Sequence, residues 1–360
     1  YERGITEYRE LYMKNNNNLL PFTKGTCSIS DDWTYKDMKV VWLENDYLKI
    51  GILVGRGSDI FEFKYKPLDC DFMLRLAKGI RNPLQDFSQM RNTPNQFEDY
   101  YYGGWQEILP NSPTFNYRGA SLGQHGEISL IPWKYSIVDN DADKVSIKLW
   151  ARPLRLPIKI EKTLKIMYDK PTLFIEENIV NESKTHLDIM WGHHIAFGLP
   201  FLKYGAKIKC NAKNMISELE MPDSRRFKPG VETNWPFAIN LNDREENASI
   251  IPAESESPYS ELSYLSGFGK KGNYSIIDSN RNVGFHLSWD PSVFKYLWYW
   301  QERYSTKDAP WWGNTYAIAL EPWTSKWTPD PKQAIKNGDW LSIPKYGNIS
   351  TKLSASAIIP

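Results

Sequence analysis

From about residue 38 to the C-terminus, apolar and polar residues alternate in one short segment after another, and this pattern restricts the fold more than any other feature. Residues 145–150 (VSIKLW), 158–166 (IKIEKTLKI) and 173–180 (LFIEENIV) are of this kind. Successive side chains on a strand point to opposite faces, so such segments build sheets with one buried and one wetter face. Further strand candidates are 40–43, 48–54, 60–65, 136–138, 186–191, 283–289, 296–300, 316–321 and 350–358, with turn signals at 44–46 and 55–57. Helical periodicity is confined to 5–13, 71–79 and 331–337. Neither a linker-like break nor an internal repeat interrupts the strands. The expected fold class is all-β: a short helical N-terminal arm over 1–37, then a single large antiparallel β-sandwich over 38–360.

The 360 residues carry 44 Lys and Arg against 43 Asp and Glu, a formal net charge of +1. So even a balance gives no general attraction to nucleic acid or to an anionic membrane. No apolar run is long enough to span a bilayer as a helix, and the polar start lacks a signal-peptide core. Three widely spaced cysteines, Cys27, Cys70 and Cys210, form neither a CxxC pair nor an even disulfide set. The expectation is a cytoplasmic monomer or homodimer whose partner is a small molecule. Aromatic residues are abundant, with 15 Trp, 21 Tyr and 15 Phe. Most serve strand propensity and core filling. The clusters at 298–300 and 311–312 lie beside polar groups and loop signals, where an aromatic-walled cleft is expected.

Proton chemistry is concentrated in few places. The chain has five histidines, and two of them, His193 and His194, are adjacent in an apolar run. On a strand they point to opposite faces, so one meets a cleft and the other the far side. His125 sits in Gly-Gln-His-Gly-Glu between strand candidates. Imidazole is the side chain best placed to exchange protons near neutral pH. Several other constellations fail. Residues 55–60 (GRGSDI) lack the third glycine and the following helix of a dinucleotide site. No phosphate-binding loop, HExxH or GxSxG motif occurs, and the expectation is no cofactor and no metal.

Three segments stand apart from ordinary strand and turn sequence. They are 102–111 with 123–133, 191–198 (WGHHIAFG), and 318–324 (IALEPWT), where Glu321 ends an apolar strand before Pro322. Their order resembles the galactose mutarotase-like superfamily, the aldose 1-epimerases and their divergent relatives. The matching features are His125-Gly126 with Trp133 downstream, the Val180-Asn-Glu-Ser183 turn, His194-Ile-Ala-Phe197, and Glu321. The resemblance covers about residues 40–358 and implies a β-supersandwich without a cofactor.

It also implies a chemistry. A glutamate takes the proton of a sugar's C1 hydroxyl, a histidine protonates the ring oxygen, and the ring opens, rotates and recloses as the other anomer. Carried over residue by residue, Glu321 is the base, His194 the acid, and His125 binds the ring or C1 oxygen. Asn111, Gln106, Glu107, Trp105, Trp300 and Gln301 fall in segments expected to border the cleft. Arg56 and Arg75 are further candidates for a sugar hydroxyl or acidic substituent, and His193 is either a site residue or a packed one. The family's substrate-gripping aspartate between histidine and glutamate has no counterpart in 259–266. The expectation is a cofactor-independent aldose 1-epimerase-like isomerase. The alternatives are a non-catalytic carbohydrate-binding protein on the same fold, and a sugar lyase or hydrolase relative.

Overall fold

The computed structural model describes residues 26–86, 95–221, 224–254, 258–278 and 280–360. Two antiparallel sheets dominate. The first runs in the order Ser28–Tyr35, Met38–Glu44, Leu48–Leu53, Asp59–Tyr65, Trp105–Ile108, Gly192–Phe197, Tyr316–Trp323, Tyr296–Arg303, Tyr259–Ser266, Asn214–Ser217 and Glu232–Asn234, with Cys70–Asp71 on its margin. The second runs Ile250–Ile251, Ala206–Cys210, Gly272–Asp278, Val283–Trp289, Asn348–Ile358, Thr172–Asn181, Ile158–Met167, Lys144–Ala151 and Lys134–Asn140. This is the large antiparallel sandwich that the alternation requires.

The sheets face one another across a continuous apolar core. Phe197 of the first packs edge-on against Phe285 of the second with ring centroids 5.1 Å apart. Ile158, Ile160, Leu164 and Ile166 supply one side of that core at alternate positions, as their period demands. The centre of the first sheet is different. All six residues of Gly192–Phe197 and all eight of Tyr316–Trp323 are buried, so alternation disappears there. Strands covered on both faces read as continuous apolar runs. Their outer face supports a second apolar layer that includes Ala196, Ala319, Trp298 and Trp323. The cleft lies in that outer layer.

Two sequence expectations need correction. The segment 28–35, assigned to the arm, forms a strand at the end of the first sheet, and the helix expected at 5–13 lies outside the described residues. Residues 71–79 are not helical: 71–76 are extended, with Met73 bridging Phe197 and Arg75 bridging Gly103, and a turn follows at 77–78. A short apolar run suits a buried strand as well as a helix, and neighbouring strands decide between them. The helix expected at 331–337 is present as Pro331–Asn337, started by the Asp330 carboxylate accepting from Gln333 N and ended by Gly338.

Candidate active site

Three central strands place the chemistry. In the register of Gly192–Phe197, His193 lies opposite Glu107 and His194 opposite Gln106. The flanking Tyr316–Trp323 strand brings Glu321 alongside, paired with Trp298 of the next strand. His194 points to the outer face, where its Nε2 is 3.7 Å from Glu321 Oε1. That gap exceeds a hydrogen bond. His125 arrives from a loop, its ring centroid 5.8 Å from that of His194.

The neighbouring residues explain why each group stays in place. Trp323 Nε1 donates to Glu321 Oε2 at 2.9 Å. Gly192, opposite Trp323, leaves room for that indole: a Cβ there would lie 2.2 Å from Trp323 Cδ2. Trp323 also stacks on Trp298, with centroids 4.3 Å apart and planes 17° apart. His125 has a left-handed backbone (φ +60°), uncommon outside glycine. Asn111 holds the loop in that shape, its Nδ2 donating to Pro113 O at 2.8 Å and Gly123 O at 2.7 Å. The loop then presents Ser112 Oγ to His125 Nδ1 at 3.2 Å.

A cavity of about 730 Å³ opens over this group. His125, His194 and Glu321 line it, with Trp298, Trp300, Trp311 and Trp327 among its walls. Its burial sets the protonation. Desolvation pushes the Glu321 carboxyl up to about 8, offset in part by the Trp323 donor. Desolvation lowers His125 to about 3 despite its bond with Ser112. His194 is held well below the ordinary range, by burial first and by His125 second. Near neutrality His194 and Glu321 therefore share one proton. His194 Nδ1 is buried and has no hydrogen-bonding partner among the described residues.

The expected binding residues divide. Trp300 lines the cavity, 6.0 Å centroid to centroid from His194. Asn111 sits behind the His125 loop, as described. Gln106 donates to Gly103 O and, at 3.4 Å, to Asp59. Gln301 turns away and accepts from Arg226 at 3.1 Å and Tyr259 at 3.0 Å. The buried Arg56 guanidinium donates to the carbonyls of Arg81 and Tyr100. Arg75 pairs with Asp71 at 2.8 Å and Glu62 at 3.0 Å. None of these five lines the cavity. Their side chains meet partners that no local sequence signal reveals.

Trp105, Glu107 and His193 point between the sheets. Trp105 Nε1 donates to His193 Nδ1 at 3.1 Å, so His193 Nε2 carries the proton that faces Glu177 Oε2 at 3.1 Å. Glu107 accepts from Trp191 Nε1 at 2.8 Å and pairs with Lys162 at 3.2 Å. Glu107, Glu177 and His193 come close enough to share a metal ion. Their donors do not fit one well. The Trp105 bond leaves His193 Nε2 without a free lone pair, and the Lys162 ammonium already supplies the positive charge. Sequence reasoning missed Lys162 and Glu177, although both fall in the apolar phase of their strands. It also missed Phe97 and Tyr101, which pack on His194 with centroids 5.6 Å and 5.0 Å away.

Solved structures identify the architecture as the galactose mutarotase-like fold. A provisionally assigned aldose 1-epimerase from Klebsiella pneumoniae superposes with a TM-score of 0.70 at 12% identity, over 92% of this chain and 83% of that one. A galactose mutarotase-like protein from Clostridium acetobutylicum gives 0.60 at 16% identity, over 93% and 99%. A galactose mutarotase related enzyme from Lactobacillus acidophilus gives 0.57 at 14%, over 89% and 97%. At such identities the likeness concerns the fold. The chain belongs to the family described as Domain of unknown function (DUF4432), matched over residues 36–356. No curated protein matches it in sequence. No helix among the described residues is long and apolar enough to cross a membrane, which says nothing of strands.

Proposed function

We propose that the protein is an aldose 1-epimerase-like isomerase that interconverts the anomers of a cyclic sugar. One observation carries the reading: a buried imidazole and a buried carboxyl stand 3.7 Å apart on the floor of a tryptophan-walled cavity. Ring opening needs a proton acceptor at the C1 hydroxyl and a donor at the ring oxygen. Both oxygens are bonded to C1, so the two catalytic groups must stand close together, as these do. The reaction also needs one proton between them. Burial of Glu321 and His194 leaves them with that count near neutral pH.

In the assigned roles, the proton that burial places on Glu321 in the free protein passes to His194 as substrate binds, and the Glu321 carboxylate then takes the C1 hydroxyl proton. His194 passes its own proton to the ring oxygen, C1 becomes a carbonyl, and rotation about C1–C2 precedes the reverse transfers. His125, neutral and bonded to Ser112, is suited to hold the ring or C1 oxygen rather than to carry charge. Each acid–base group contributes on the order of 10²–10⁴-fold. Saturation-transfer NMR of sugar anomers tests the reading. Wild-type protein is expected to transfer saturation between anomers, while Glu321→Gln and His194→Ala are not. Tight sugar binding with no transfer in any of the three would leave a carbohydrate-binding protein instead.

A further inference from the structure

We propose that the cleft is built for an uncharged, extended aldose, the reducing end of a di- or oligosaccharide, in preference to a single hexose or a sugar bearing phosphate or carboxylate. The proposal rests on the reading of the cleft as a sugar site and names the substrate class. Volume is the first argument. Twelve heavy atoms of a hexose, each given the ~30 Å³ share of a liquid water, take up roughly 360 Å³, an overestimate for bonded atoms. The cavity holds about 730 Å³, so a lone hexose at His194 and Glu321 leaves at least half of it to water.

The aromatic wall follows the same extension. Trp300 stands beside His194, and Trp311 stands beyond it with its ring centroid 5.3 Å from that of Trp300. Both line the cavity, and among the described residues Trp300 but not Trp311 makes a ring contact with His194. Flat indole faces suit the C–H faces of a second pyranose. Trp311 is the platform for it.

Charge supplies the restriction. Glu98, Glu220 and Glu302 line the cavity beside Glu321, whose carboxyl burial keeps protonated near neutrality, and no Lys or Arg does so among the described residues. Glu302 accepts from Ser305 N at 2.8 Å and from Thr306 N at 3.0 Å, and Glu98 accepts from Gln124 at 3.0 Å. These carboxyls are held in place by the protein. An anionic sugar would enter facing like charge with no cation to pair it.

Two measurements on the intact protein test the proposal. Dissociation constants come from quenching of tryptophan fluorescence, and exchange rates from saturation-transfer NMR. The ligands are glucose, maltose, cellobiose, lactose, glucose 6-phosphate and glucuronate. At least one disaccharide is expected to bind about tenfold more tightly than glucose, the scale of one stacking contact. Both anions are expected to bind about tenfold more weakly than glucose. Trp311→Ala should erase the disaccharide advantage while changing glucose binding several-fold less. The proposal falls if glucose binds at least as well as all three disaccharides, if either anion outbinds glucose, or if Trp311→Ala weakens both classes equally. Binding in this order without exchange would overturn the epimerase reading and leave the substrate class standing. Exchange with the order reversed would do the opposite.

Discussion

The two faces of one strand carry the same kinds of residue with opposite outcomes. Toward the cleft, His194 meets one carboxyl, Glu321, across a gap and beneath open volume. Between the sheets, His193 meets Glu177 directly, with Glu107 and Lys162 completing a closed cluster. The space there is about 10 Å³, room for no more than a single water. An imidazole beside a buried carboxylate is therefore not in itself a catalytic signature. On the cleft face the partners are too few and the space is large. On the inner face Lys162 pairs with Glu107, His193 donates to Glu177, and no ligand larger than a water can enter. The difference separates a group open to a ligand from one that joins two sheets.

The sharpest way to break this comparison is to remove one carboxylate's charge on the cleft face. Glu321→Gln is expected to lower anomer exchange by about 10²–10⁴-fold in saturation-transfer NMR, with little loss of stability. A large loss of folding free energy with exchange retained would exchange the roles assigned to the two faces. On the inner face the order is reversed. Lys162→Met leaves two buried carboxylates without their cation and should cost about 3–5 kcal/mol in urea unfolding. Replacing Lys162, Glu107, Glu177 and His193 together with apolar residues should recover most of that loss, because such clusters are often no better than a well-packed apolar set.

Smaller changes sharpen it. Gly192→Ala pushes the Trp323 indole off its seat and so tilts the carboxylate it holds. Exchange is expected to fall by about tenfold, mostly in kcat, with a stability cost of about 1–3 kcal/mol for overpacking. The pH dependence is spread over several units. The folded Glu321 pKa of about 8 lies above its ordinary value of 4.5. Between those two values the folded protein holds a proton that the unfolded chain has released. Stability from this group is therefore complete below about pH 4.5 and is lost as pH rises toward 8. The slope is about 1.4 kcal/mol per pH unit at most. Thermal melts from pH 5 to 8 should lose this contribution in Glu321→Gln, which does not titrate. Exchange itself should decline above about pH 8, where the His194–Glu321 pair loses its single proton.

The β architecture was legible because period-two alternation is a local property. The segment 283–289 was expected as a strand and is found as Val283–Trp289. The strands between 206 and 278 were missed: Ala206–Cys210 and Phe237–Ile239 are too short to establish a period, and Tyr259–Ser266 is buried at six successive positions. In the site, His125, His194, Glu321 and Trp300 were singled out through the family resemblance that their segments carry, and the structure places all four on one cavity. Their meeting in one cavity depends on strand order, which the sequence does not state. Arg56, Arg75, Asn111, Gln106 and Gln301 looked like binding groups because a polar side chain in a loop or beside a cleft segment has no visible partner until the chain folds. Two signals were available and unused. Lys162 stands in the apolar phase of Ile158, Ile160, Leu164 and Ile166, and Glu177 in that of Leu173, Ile175 and Ile179. Charges in such phases announce a buried ion cluster, and opposite signs on adjacent strands announce that it is balanced.

The inner cluster also bears on how anything gets in and out. Lys162 and Glu177 belong to one sheet, Glu107 and His193 to the other, so together they act as a rivet through the middle of the sandwich. A riveted floor does not hinge. Breathing that admits or releases a ligand is then left to the rim, the short Gln96–Tyr100 helix and the loop that carries Trp311, rather than to sliding of the sheets.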